Sequence, residues 1–156
     1  MATAAREGCG MGVRSDRSYR FTVSRHDLWD ALTQVDRYRV WWPWLRSFDG
    51  QAFASREQWR CVVKPQLPYT LEFVIVLEQV KEAESARARL TGDIDGWAEL
   101  TVDDDGSGSK LRLYSDLTAR NGLGRWVGTL APPLARRGHD WVIDNGIRQF
   151  RAAAFR

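Results

Sequence analysis

Cysteine, lysine and histidine are all scarce in this 156-residue chain, and each scarcity excludes something. Two cysteines, Cys9 and Cys61, cannot build a disulfide framework, and neither stands in a C-x-x-C or Cys/His spacing that would hold zinc. Cysteine use of this kind fits a reducing setting, so a cytoplasmic protein is expected. No apolar run approaches the ~20 residues that cross a bilayer, so stable membrane insertion is not expected. Met1 to Val13 has no apolar centre and does not read as a secretory signal. There is no P-loop, dinucleotide fingerprint or Ser/His/Asp motif, so neither a metal nor a cofactor is expected. The one phosphate-like glycine segment, Gly106-Ser107-Gly108, has no helix after it and reads as a turn.

A strong charge of one sign is lacking too. Basic residues number 23 against 20 acidic, a net charge of +3, which is too small a bias to argue for a nucleic-acid partner. Seven arginines fall between Arg120 and Arg156 against Asp140 and Asp144 alone, and an ordinary solvated helix face explains them. The arginine excess over the three lysines Lys64, Lys81 and Lys110 matches a GC-rich bacterial genome and carries no functional reading. Apolar material, by contrast, is plentiful: hydrophobic residues make up 44% of the chain and eight are tryptophan. That suffices for one core of ordinary size. The expected division is a flexible tail over 1–16 and a single ligand-binding domain over 17–156.

The apolar periodicity changes along the chain. Ser18 to Val23 alternates as a half-buried strand does, and Ser24 with Asp27 predicts a capped helix over Arg25 to Thr33. A second short helix is expected from Asp36 to just before Pro43. From there to Thr118 the period is two, which predicts six antiparallel strands: 46–54, 57–64, 69–81, 85–91, 98–102 and 110–118. Each has one apolar and one charged face, as in a sheet covered on one side only. Leu134 to Ala154 then reads as a long helix with Ala135, His139, Val142, Ile143, Gly146, Ile147, Phe150 and Ala153 on one face. Arg137, Asp144, Arg148 and Arg151 fall opposite. The class is α+β, a curved antiparallel sheet of about seven strands around a long C-terminal helix, with two short helices after the first strand.

That order, with Trp41-Trp42-Pro43, Gly92-Asp93-Ile94-Asp95-Gly96, and Gly138-His139-Asp140-Trp141-Val142 followed by Gly146, resembles the helix-grip fold of the START/Bet v 1-like (SRPBCC) superfamily. Within it, the chain is similar to the bacterial polyketide cyclase/dehydrase and lipid-transport group. The resemblance spans Ser18 to Ala154 and implies a cavity between sheet and long helix. It does not choose between carriers and enzymes.

If the cavity exists, alternation directs Trp59, Cys61, Leu71, Phe73, Ile75, Leu90, Ala98, Leu100, Leu113 and Ser115 into it from the sheet. Val142, Ile143 and Gly146 join from the helix, Trp42 from the short helices and Trp126 from a glycine-punctuated segment that could form a lid. The same residues could instead pack against one another as a solid core; small side chains at Ala98, Gly146 and Ala135 favour a void. His139 is the one ionisable residue on the inward helix face. It could hydrogen-bond a ligand, act as general acid or base, or be a structural histidine with a backbone or hydroxyl partner. Glu72, Glu99, Arg112 and Asp116 fall on outward faces, and a one-residue register shift would bring them inward. Trp97 and Trp141 are expected outward, Trp97 beside Glu99 and Trp141 between Arg137 and Arg148, each either covered by a neighbouring loop or forming a homodimer contact. The expected partner is a hydrophobic small molecule such as a lipid, a polyketide-like aromatic or an isoprenoid. The alternative is a cyclase or dehydratase with His139 as acid/base.

Overall fold

The computed structural model describes residues 12–65, 70–119 and 132–155, with side chains of the last segment described from Arg136. Seven strands form one antiparallel sheet: β1 (Gly12–Phe21), β2 (Leu45–Phe48), β3 (Gln58–Val63), β4 (Leu71–Lys81), β5 (Ser85–Gly92), β6 (Ile94–Asp105) and β7 (Gly108–Ala119). They are ordered β1-β7-β6-β5-β4-β3-β2. Helix α1 (Arg25–Leu32) follows β1, a 3-10 turn (Val35–Arg37) leads into α2 (Tyr38–Trp41), and the long α3 (Pro132–Ala154) closes the chain. No helix among the described residues is long and apolar enough to cross a membrane.

Local sequence explains the short elements. Ser24 Oγ accepts from the Asp27 amide at 3.1 Å, satisfying one of the free donors that open α1. Asp27 sits in that first turn, where a carboxylate favours the positive helix end. Leu28, Trp29 and Leu32 are all buried, so the stripe read from the sequence faces the core. Helix α2 stops before Pro43, which disfavours helical backbone in the residue ahead of it.

The boundaries differ in instructive ways. Residues 12–16, expected as tail, belong to β1 and pair with β7 from Gly12↔Thr118 to Asp16↔Tyr114. Their inward positions are Val13, Ser15 and Arg17, so polar residues mask the alternation that marks a strand. Strand β2 ends at Phe48 instead of running to Ala54. The chain beyond it is held by side chains: Asp49 Oδ1 accepts from the Arg60 amide at 2.6 Å, and Trp59 Nε1 donates to Ala52 O at 3.0 Å. Strands β6 and β7 extend to a tight turn at Gly106 and Ser107.

Gly92 and Gly96 are the points where the sheet bends. Their φ values are +127° and +144°, and a Cβ on Gly96 would lie 2.0 Å from the Asp116 carbonyl oxygen. The aspartates of the same motif fasten the bend. Asp93 Oδ2 accepts from the Glu72 amide at 2.8 Å, and the Asp93 amide donates to Glu72 O at 2.9 Å.

The solid core occupies one end of the molecule. Leu28, Val102, Leu111 and Phe150 are 0–1% exposed, and Phe150 packs edge-on against Phe21, Trp41 and Phe155. These residues join α1, the β6–β7 hairpin and the C-terminal half of α3. Ala153, expected inward, is exposed, while Ala154 and Phe155 pack against the core. The other end of the grip, beneath the N-terminal half of α3, is hollow.

Candidate functional site

A row of small side chains crosses the concave face of the sheet. Ser15, Ser115, Ala98 and Ala88 are directly opposed on β1, β7, β6 and β5, so their Cβ atoms stand about 4.5–5.5 Å from their neighbours with little above them. Over this row lies a cavity of about 460 Å³, within the size range of small-molecule sites. Ala88, Ala98 and Ser115 line it.

The walls come from the inward positions that alternation predicts. Trp59, Cys61 and Val63 face it from β3, and Leu71, Phe73, Ile75 and Leu77 from β4. Leu90 on β5, Leu100 on β6, and Leu113 and Leu117 on β7 complete the sheet side. Helix α3 contributes Gly138, His139, Val142 and Ile143. Trp42 joins Tyr38, Trp44 and Phe48, an aromatic wall with ring centroids 4.7–5.9 Å apart. Such spacings are normal for offset and edge contacts.

One residue expected to line the cavity is placed elsewhere. Gly146 does not line the cavity: Trp42 Nε1 donates to its carbonyl oxygen at 2.9 Å, and Trp44 lies beside it with its own Nε1 donating to Gln149 Oε1 at 2.9 Å. A Cβ on Gly146 would meet the Trp44 ring at 3.5 Å, an ordinary contact, so the glycine is not needed to hold open a void. Trp126 and the proposed lid lie outside the described residues, as does the side chain of Ala135.

Polar chemistry gathers at one place. Ser115 Oγ lies 3.3 Å from His139 Nε2, and both residues line the cavity. The other ring nitrogen, Nδ1, is buried and 3.6 Å from Asp140 Oδ1, beyond hydrogen-bond range. Burial lowers the His139 pKa below its ordinary value of 6.5, and Arg17 and Arg136 act in the same direction, while Asp140 opposes it. The imidazole is therefore neutral at pH 7.

Stability should depend on pH through this group, with a definite sign. Below the ordinary imidazole range near pH 6.5 the unfolded chain takes up a proton at His139 that the folded chain resists, so stability falls as pH falls. One such group contributes a slope of at most about 1.4 kcal/mol per pH unit, and none above that range. Urea midpoints compared at pH 7 and pH 5 should drop less in His139→Gln than in the parent protein; equal drops would rule out His139 as their source.

Cys61 and Tyr38 are poor candidates for chemistry. Burial, with the charge of Asp49 adding, pushes the Cys61 thiol up to about 12. Burial also raises the pKa of Tyr38, whose hydroxyl donates to Leu32 O inside the protein. Among the described residues no group of His, Cys, Asp and Glu could hold a metal ion.

The register keeps the charged positions outward. Arg112 pairs with Asp16 at 2.6 Å, Arg14 with Asp116 at 3.1 Å, and Glu99 shares a shallow convex groove with Arg112, Thr101, Trp97 and Tyr114. Trp97 stacks on Tyr114 at 5.1 Å, with the Arg87 guanidinium 5.0 Å from its ring. It is covered by neighbouring side chains rather than a loop. Trp141 is not outward between arginines; it meets Trp44 edge-on at 6.2 Å.

Sequence reasoning missed Arg17. It stands on the inward register of β1, opposite Leu113, and reaches α3, where it pairs with Asp140 at 3.1 Å and with Asp144. The Tyr19 hydroxyl donates to Asp144 at 3.4 Å. The signal available was an arginine in phase with Tyr19 and Phe21; continuing that alternation toward the N-terminus would have found it.

A curved seven-stranded antiparallel sheet gripping one long helix, with two short helices after β1, is the helix-grip fold. The particular likenesses are structural. TTHA0849 from Thermus thermophilus superposes with a TM-score of 0.74 at 12% identity, over 92% of this chain and 96% of that one. The protein designated Ara h 8.0201 gives 0.69 at 9% identity over 92% and 97%. The ZhuI aromatase/cyclase from Streptomyces sp. R1128 gives 0.68 at 15% identity over 92% and 93%. No protein-family model matches the chain, and no curated protein matches it. At these identities it is the fold that is shared.

Proposed function

We propose that this protein binds a largely apolar small molecule in the cavity between the sheet and α3. The observation that carries this reading is the cavity itself: about 460 Å³ whose lining is aliphatic and aromatic apart from Ser115, His139, Cys61 and Glu99. Burial of apolar ligand surface supplies affinity at roughly 25 cal/mol per Å², and the polar groups supply orientation. Lipids, polyketide-like aromatics and isoprenoids all meet these demands.

Native mass spectrometry of gently purified protein, followed by titration with the neutral fluorophore N-phenyl-1-naphthylamine, tests the reading. The expected result is a retained ligand or saturable one-to-one binding of the dye. Absence of both would sink it.

The enzymatic alternative draws support from one observation, the His139 imidazole held beside a hydroxyl in an apolar chamber, and from a structural likeness to a protein described as an aromatase/cyclase. Aldol cyclisation and dehydration need a base next to a carbonyl and a separate donor. Here Cys61 stays protonated and Tyr38 is committed to Leu32, which leaves His139 and Ser115 for both roles. This arrangement is better suited to holding a molecule than to transforming it. For an enzyme, His139→Ala should abolish turnover of a candidate substrate and spare its binding; for a carrier it should alter affinity alone.

A further inference from the structure

The polar pole of the cavity has a charge distribution behind it that discriminates among ligands. Arg17, Asp140 and Asp144 pair with one another on the far side of His139, and none of them lines the cavity. One guanidinium facing two carboxylates leaves a net negative charge there. Arg136, also on α3, is exposed to solvent and screened by it. Among the described residues that line the cavity none is a lysine or arginine. Glu99, the one carboxylate among them, shares a strand face with Trp97 and Thr101 and lines the convex groove with them.

The carboxylate of Asp140 favours the tautomer with its proton on Nδ1, the nitrogen 3.6 Å away. Nε2 then offers a lone pair toward Ser115 and the cavity. A hydroxyl placed between the two fits both: it donates to His139 Nε2 and accepts from the Ser115 hydroxyl. A carbonyl can only accept. A carboxylate would be a buried anion with no cation to meet it and with net negative charge behind its acceptor.

Building on the binding reading above, we propose that the Ser115–His139 pole selects neutral ligands carrying a hydroxyl on an apolar ring system, phenols or alcohols, and excludes the corresponding carboxylates. An apolar ligand of the same shape still binds, because Ser115 and His139 can remain paired with each other. The hydroxyl adds one net hydrogen bond, which corresponds to about three- to tenfold in affinity.

Three pyrenes that share one ring system test this on the full chain at pH 7 by pyrene fluorescence: 1-hydroxypyrene, 1-methylpyrene and pyrene-1-carboxylate. The expected order is hydroxyl, then methyl about three- to tenfold weaker, then carboxylate at least about thirtyfold weaker than the hydroxyl. In His139→Leu the hydroxyl-to-methyl ratio should collapse toward one. Ser115→Ala removes the smaller partner and should lower the same ratio, which keeps the test open should the histidine variant not fold. Carboxylate binding equal to the hydroxyl, or a ratio unchanged in the folded variants, would overturn the selectivity while leaving the binding reading intact. Failure of all three pyrenes, 1-methylpyrene included, overturns the binding reading and the selectivity with it.

Discussion

Ala98→Trp should reduce binding of N-phenyl-1-naphthylamine or 1-methylpyrene at least about a hundredfold while the protein stays folded. Ala98 is in the middle of the small-residue row, flanked by Ala88 and Ser115, with the cavity directly above it. An indole there would project into the space a ligand needs. In a close-packed core such an enlargement typically costs about 1–3 kcal/mol, because neighbours must move. Here the volume is already open and lined by apolar groups, so the ring gains contacts and stability should hold or rise slightly. Dye titration and urea denaturation of the same sample check both halves. A folded variant that still binds would mean the dye sits elsewhere, and strong destabilisation would mean there is no open space to fill.

The second large effect concerns the backbone. Gly96→Ala should cost at least about 3 kcal/mol, enough to leave much of a marginally stable domain unfolded. The methyl group would lie 2.0 Å from a main-chain oxygen of β7, at Asp116, and no side-chain rotation relieves a clash that begins at Cβ. Its φ of +144° is strained for any residue with a side chain. Gly106→Ala is the matched control: it too has positive φ, +62°, but nothing lies within 4 Å of the added methyl. Left-handed backbone alone costs about 1–2 kcal/mol. Denaturation midpoints should therefore separate the two variants clearly, and equal losses would show that conformation rather than contact governs Gly96.

Much of the architecture was legible because one face of each strand is apolar and the other charged. Leu71, Phe73, Ile75 and Leu77 on β4 declared their face outright, as did Leu28 and Leu32 on α1. The inward positions of β1 did not, because Ser15 and Arg17 are polar for reasons supplied by other elements: Ser115 across the ladder, and Asp140 and Asp144 on α3. The small-residue row was invisible for the same kind of reason. Ala98 alone suggests little; its meaning comes from Ala88 and Ser115 standing beside it, and cross-strand neighbours are fixed by pairing that a linear sequence does not display. Trp141 was misplaced because helical phase puts it among arginines, whereas the aromatic corner formed by Trp42 and Trp44 wraps far enough around α3 to reach it. Gly146 was assigned to a void because it is small and lies on the inward helix face, although what it does is accept Trp42 through its carbonyl.

The row beneath the cavity also separates two kinds of constraint. Side chains at Ser115, Ala98 and Ala88 set the depth of the chamber, while the hydrogen-bond ladder that joins their strands runs through main-chain atoms that every residue but proline supplies. Substitutions along that line can resize the chamber without disturbing the ladder, so the size of the space and the fold that encloses it can vary independently. The same grip in chains that share only 9% or 15% of their residues with this one is what such a division of labour permits.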